Sequence, residues 1–233
     1  MAKKSVLLLI VFCLAAAVVW ADVPSDSSGK ISWIQDRLDQ AVQPSRRWQY
    51  GWTTAYGGMT YLYSAQASEL DETNEEDDRY DAVVNASSSF LGFAGMLLDP
   101  LSTAAAAGQL KQLPESTDEE KQIKLDKAED LLRRAAQREK RGKSWQAHAL
   151  AGLVSLAAGV AVACDDDRTD DGAAMFVGSM VVSEIQIFSQ PTHALDAWEE
   201  YRKGEALPVS RNHTSQRLFL SALPRGIVMC YRF

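Results

Sequence analysis

Apolar positions recur at helical intervals along most of the chain, in segments separated by punctuating residues. Ile31, Ile34, Leu38 and Ala41 follow the cap candidates Ser27 and Ser28 at that spacing, and Pro44 closes the run. Trp48, Trp52 and Tyr56 then fall every fourth residue, which places three amphipathic rings on one helix face beside Arg46 and Arg47. Such a stripe serves a core, and it also has the make-up of a headgroup-level belt. Gly57 and Gly58 weaken the element before Met59, Tyr61, Leu62 and Tyr63 resume it.

Carboxylates crowd residues 69–81 with a single Arg among them, so self-repulsion predicts a solvated connection. Residues 82–110 are apolar and rich in small side chains, and Asp99-Pro100 stops or kinks a helix there. Ser116 with Glu119, and Thr117 with Glu120, each carry the capping-box spacing that opens a helix. Leu125, Ala128, Leu132 and Ala135 give that helix a narrow apolar seam. Glu120 with Lys124, Glu129 with Arg133 and Asp130 with Arg134 are spaced as supporting ion pairs.

The strongest signal follows a basic flank. Residues 147–164 hold no formal charge and as a helix would run ~27 Å, close to a bilayer's hydrocarbon thickness. Ala147, Ala151, Ser155, Gly159 and Ala163 fall every fourth residue, a small face that lets another backbone approach closely. An aspartate-rich bend at 165–171 turns the chain into a second apolar stretch, 172–189, whose one charge is Glu184. On insertion scales the first stretch is marginal; the second gains about 3 kcal/mol from its Val, Ile and Phe residues and loses a similar amount to an ionised Glu184. Each stretch therefore needs the other, either across a membrane or as the dry centre of a water-soluble bundle. Pro191-Thr192 opens a last helix that Gly204 stops, and two β-prone runs flanking Pro224-Arg225-Gly226 predict a hairpin.

Composition narrows the class. In 233 residues, 24 Lys and Arg face 31 Asp and Glu, for a net charge of −7, and 46% of residues are hydrophobic. Wholesale disorder and disulfide scaffolds are excluded. The acidic balance speaks against a nucleic-acid partner, and three His and three Cys against a multi-His metal enzyme. Lys3 and Lys4 before an apolar run, with Val19 and Ala21 at the positions a signal peptidase inspects, predict a leader cleaved after Ala21. Export allows Cys164 and Cys230 to pair, although sequence alone leaves two separate thiols equally open.

Candidate chemistry is sparse. Glu184 in an apolar surround is the sharpest candidate, with Gln186 or His193 as expected polar neighbours. Asp167, Thr169, Asp171 and Gly172 match the opening of a calcium loop, but Gly178 stands where a bidentate Glu is needed, so no metal site is expected. His148, His193 and His213 are scattered, and no activated nucleophile or phosphate cradle appears, so neither catalytic residues nor a cofactor are assigned.

The expected fold is mainly α: about five helices bundled around the apolar hairpin, with a small C-terminal β-hairpin. Residues 1–21 form the leader, 22–204 the bundle, and 205–233 the linker and hairpin. The leading functional reading is an exported, non-catalytic cell-envelope protein, periplasmic if bacterial, that meets a membrane or protein partner. Its contact residues are Arg46, Arg47, Trp48, Trp52, Tyr56 and Glu184, and its helix-packing face is the Ala147 to Ala163 series. A soluble module binding a hydrophobic ligand between helices is the alternative, and an enzyme using a buried carboxylate comes third.

Overall fold

In the computed structural model of the chain, residues 26–70, 75–204, 217–223 and 226–232 are described. The chain divides into two compact units, Val23–Glu205 and Met1–Asp22 with Ala206–Phe233. The expected leader and its cleavage site lie outside the described residues. The first unit contains seven helices: α1 Ser27–Glu69, α2 Glu76–Leu98, α3 Thr103–Lys111, α4 Asp118–Gly142, α5 Trp145–Ala163, α6 Thr169–Ser189 and α7 His193–Lys203. Every element of this unit is helical among the described residues. The expected fold class is therefore corrected to an all-α bundle, with seven helices in place of five and no β-hairpin in it. In the second unit, Arg217–Leu223 is paired antiparallel with Gly226–Arg232.

A second correction concerns the core. The apolar hairpin is not the centre of the bundle. The main core joins Ile31, Ile34 and Leu38 of α1 to Ala107 and Leu110 of α3, Leu125, Leu131 and Leu132 of α4, and Ala194 and Ala197 of α7. These helices form a head. By contrast, α5 and α6 expose Leu153, Leu156, Val160, Val177, Val181, Ile185 and Phe188 away from the cleft, and α2 does the same with Val83, Phe90 and Leu97. Together with the second half of α1, whose residues 48–68 carry no formal charge, they form a stem. Glu76–Lys111, Trp145–Ala163 and Thr169–Ser189 are long and apolar enough to cross a membrane, by length and composition.

Local chemistry explains the elements. Asp26 caps α1, accepting from the Gly29 amide at 3.1 Å, in place of the expected Ser27 or Ser28. Pro44 does not end this helix. It removes one backbone hydrogen bond, but the residues before it are anchored in the head and those after it in the stem, and this packing on both sides carries the helix through. Thr117 and Glu120 make the reciprocal capping box of α4. Of the three predicted ion pairs on α4, Asp130 with Arg134 forms at 2.9 Å; Lys124 turns to Glu115, and Glu129 accepts from the Tyr201 hydroxyl. At the hairpin bend Asp166 and Asp167 adopt left-handed φ values of 49° and 57°, a conformation Asp tolerates better than most residues.

Within the stem the helices alternate in direction. Residues near Trp48, Leu98, Trp145 and Ser189 lie at the head end, where Gln49 Nε2 donates to the Met96 carbonyl at 2.5 Å and Lys143 Nζ to the Phe188 carbonyl at 3.2 Å. The aspartate-rich α5–α6 bend and the acidic start of α2 lie at the far end. There Arg168 reaches Asp81 at 2.7 Å, Asp171 at 3.0 Å, Asp165 at 3.5 Å and Asp77 at 3.8 Å. The hydrogen bond to Asp81 foremost, and then Asp171 and Asp77, raise the Arg168 pKa above its ordinary value. The guanidinium thus ties the α5–α6 bend to the start of α2.

Candidate functional site

Between the α1–α2 pair and the α5–α6 pair lies a cleft of about 1010 Å³. Small residues make room for it. Ala147, Ala151 and Ser155 line its α5 wall, Ala174, Gly178, Ser179 and Ser183 its α6 wall, and Ser88, Ser89, Gly92 and Gly95 its α2 wall. From Ala174 to Ile187 the α6 wall rises ~20 Å at 1.5 Å per residue, more than half of a ~30 Å hydrocarbon core. Larger side chains, among them Met59, Met96, Leu150, Val154 and Val182, complete the apolar lining.

The aromatic stripe closes one side. Trp48 and Tyr56 are buried and line the cleft. All three members reach the last two turns of α6. Trp48 Nε1 donates to the Gln186 carbonyl at 3.1 Å and to Ser189 Oγ at 3.3 Å, Trp52 Nε1 to Ser189 Oγ at 3.0 Å, and the Tyr56 hydroxyl to Gln186 Oε1 at 3.1 Å. The buried Trp48 and Tyr56 have partners for their polar tips, as buried Trp and Tyr require, while Trp52 is half-buried at the edge of the packing. The stripe thus faces the interior, and its rings are shared between helix packing and the cleft wall. Arg46 and Arg47 are exposed and are not among the lining residues.

Glu184 finds neither Gln186 nor His193. Its carboxylate lies 2.8 Å from Nδ1 of His148 on α5, and the His148 ring packs against Phe188 with centroids 5.5 Å apart. The pair bridges α5 and α6 outside the cleft lining, one or two turns from the head end rather than at the middle of the stem. At the opposite end the small face closes on α6. A Cβ on Gly172 would lie 2.5 Å from the Gly159 carbonyl oxygen and 2.5 Å from Ala163 Cβ. The predicted series therefore splits in use: Gly159 and Ala163 bring the helices together, while Ala147, Ala151 and Ser155 open onto the cleft.

Sequence reasoning missed Glu139. It is fully buried, accepts from the Leu195 amide at 2.9 Å and from Thr103 Oγ1 at 3.3 Å, and thereby caps the first turn of α7 from α4. Burial raises its pKa to about 7, against the lowering effect of these hydrogen bonds and one from Ala194. Its own carbonyl accepts from Gln190 Nε2 at 2.8 Å. A signal was present: Glu139 follows Ala135 by four residues and so continues the apolar seam of α4. Among the described residues no group of three His, Cys, Asp or Glu is placed to hold a metal ion.

No protein-family model, curated protein or solved structure matches the chain.

Proposed function

We propose that the chain is an integral membrane protein whose four-helix stem crosses the bilayer and holds a hydrophobic ligand in the cleft between its helical pairs, while the head stands in water. One observation carries the reading: the large apolar side chains of α2, α5 and α6 point outward, whereas the head buries its own core. In water such a surface would drive aggregation. In lipid it is the favourable one, and the small residues and buried hydrogen bonds between the stem helices are what membrane helix packing uses. The cleft supports the ligand, since apolar pockets with a few fixed polar groups are where small molecules bind. Export through the leader, and hence a place in the cell envelope, belongs to this proposal; catalysis does not.

Alkaline carbonate washing of membranes that contain the full chain tests the first part. The proposal expects the protein in the pellet with the lipid. Release into the supernatant contradicts it and returns the bundle to the soluble, ligand-binding alternative.

A further inference from the structure

The charged residues of the cleft are distributed unevenly. Among its lining residues only Asp99, Arg138, Lys140 and Arg141 carry formal charge, and all four lie at the head end. Three cations thus face one carboxylate at the rim, and the rest of the wall is neutral. Arg138 is already engaged, with Nε 2.9 Å from Asp99 Oδ1. Arg141 is only at the limit of contact with that carboxylate, at 3.9 Å, and its side chain is 72% exposed. Lys140 is exposed as well. The first turn of α5 opens beside them, with Ser144 and Gln146 on the rim and no side-chain cap on its amides; its dipole adds to the positive potential.

If the stem spans a bilayer as proposed above, this rim lies at headgroup level and the neutral cleft runs into the hydrocarbon. Resting on that reading, we infer that the cleft ligand is an anionic phospholipid, with its phosphate at Lys140 and Arg141 and an acyl chain lying between Ala151 and Val182. A zwitterionic lipid would fit the same apolar walls but bring a cation to an already positive rim. Two basic side chains near a membrane surface favour an anionic lipid by about tenfold or more.

Native mass spectrometry of the full chain in detergent, delipidated and then offered phosphatidylglycerol or phosphatidylcholine in equal amounts, tests this. Phosphatidylglycerol should be retained about tenfold more than phosphatidylcholine. The double variant Lys140→Gln, Arg141→Gln, whose side chains are exposed, should bring that ratio close to one while still retaining phosphatidylcholine. Ala151→Trp, which fills the cleft, should lose both lipids. Millimolar inorganic phosphate should leave bound phosphatidylglycerol in place, and its displacement would overturn the lipid in favour of a free anion. Equal retention of both lipids by the unaltered chain, or an undiminished preference in the double variant, would overturn the headgroup assignment and leave the ligand-binding cleft standing. Retention of neither lipid would sink the cleft reading itself.

Discussion

Gly159 of α5 and Gly172 of α6 meet backbone to side, with room for no Cβ on either: one on Gly159 would lie 2.7 Å from the Gly172 carbonyl oxygen. In the proposed lipid surround two apolar helices gain nothing from hiding grease from each other, so close packing of this kind, together with a few hydrogen bonds, would hold the pair. Replacing Gly159 by Ala forces the helices apart and should destabilise the stem by about 1–3 kcal/mol, the usual cost of overpacking. Thermal unfolding in detergent followed by near-ultraviolet circular dichroism measures it. An unchanged midpoint for Gly159→Ala would mean that the two helices are not in contact there.

Glu139 makes stability depend on pH. Its folded pKa, about 7 against an ordinary 4.5, means that the folded chain keeps a proton that the unfolded chain releases. That contribution is complete below about pH 4.5 and is lost as pH rises through 7, at up to about 1.4 kcal/mol per pH unit. Glu139→Gln keeps an acceptor for the α7 amides and cannot ionise, so its unfolding midpoint should fall less than that of the unaltered chain between pH 5 and pH 7.5. Glu139→Ala leaves the helix start uncapped and should cost about 1–2 kcal/mol at pH 5. Parallel pH profiles for the unaltered chain and Glu139→Gln would remove the carboxylate from this role.

How much of this was open to sequence reading depends on how far apart the determinants lie. In α4 the capping box and the seam are local, and the helix is capped at Thr117 and buries Leu125, Ala128, Leu132 and Ala135 as the pattern predicts, with Leu131, Ala136 and Glu139 widening the buried face. The stripe Trp48, Trp52 and Tyr56 was legible as one face for the same reason. The continuity of α1 through Pro44 was not, because the contacts that outweigh the lost hydrogen bond come from the head and stem at distant positions. The partner of Glu184 is illegible for the same reason: His148 lies 36 residues away and is brought to it only by the folding back of α6 on α5. The place of the apolar hairpin was inverted, since a helix that is apolar all round reads alike whether its surround is protein or lipid; outward exposure distinguishes them only once the head is seen to own a core.

Sidedness is a separate prediction. The stem helices alternate in direction, so the start of α1 and the end of α6 share the head end, and an exported leader puts the head outside with Cys164 at the cytoplasmic end. The basic residues of α4 beside the stem oppose this orientation by the positive-inside rule, which makes the measurement informative. With Cys13→Ser and Cys230→Ser, exposed Cys164 is the one thiol left of the chain's three. It should resist an impermeant maleimide in intact cells and react after permeabilisation. Labelling in intact cells would contradict the leader and place the head in the cytoplasm.

The most direct test of the central claim, that the outward faces of α5 and α6 meet lipid, is to read their solvent. Nitroxide labels placed singly at Leu153, Val181 and Ile123, all exposed in the fold at 64%, 51% and 60%, report it by relaxation with oxygen and with a water-soluble nickel chelate in reconstituted bilayers. The account predicts that Leu153 and Val181 are accessible to oxygen and shielded from nickel, while Ile123 on the head is open to both. Nickel access at Leu153 and Val181 equal to that at Ile123 would contradict it.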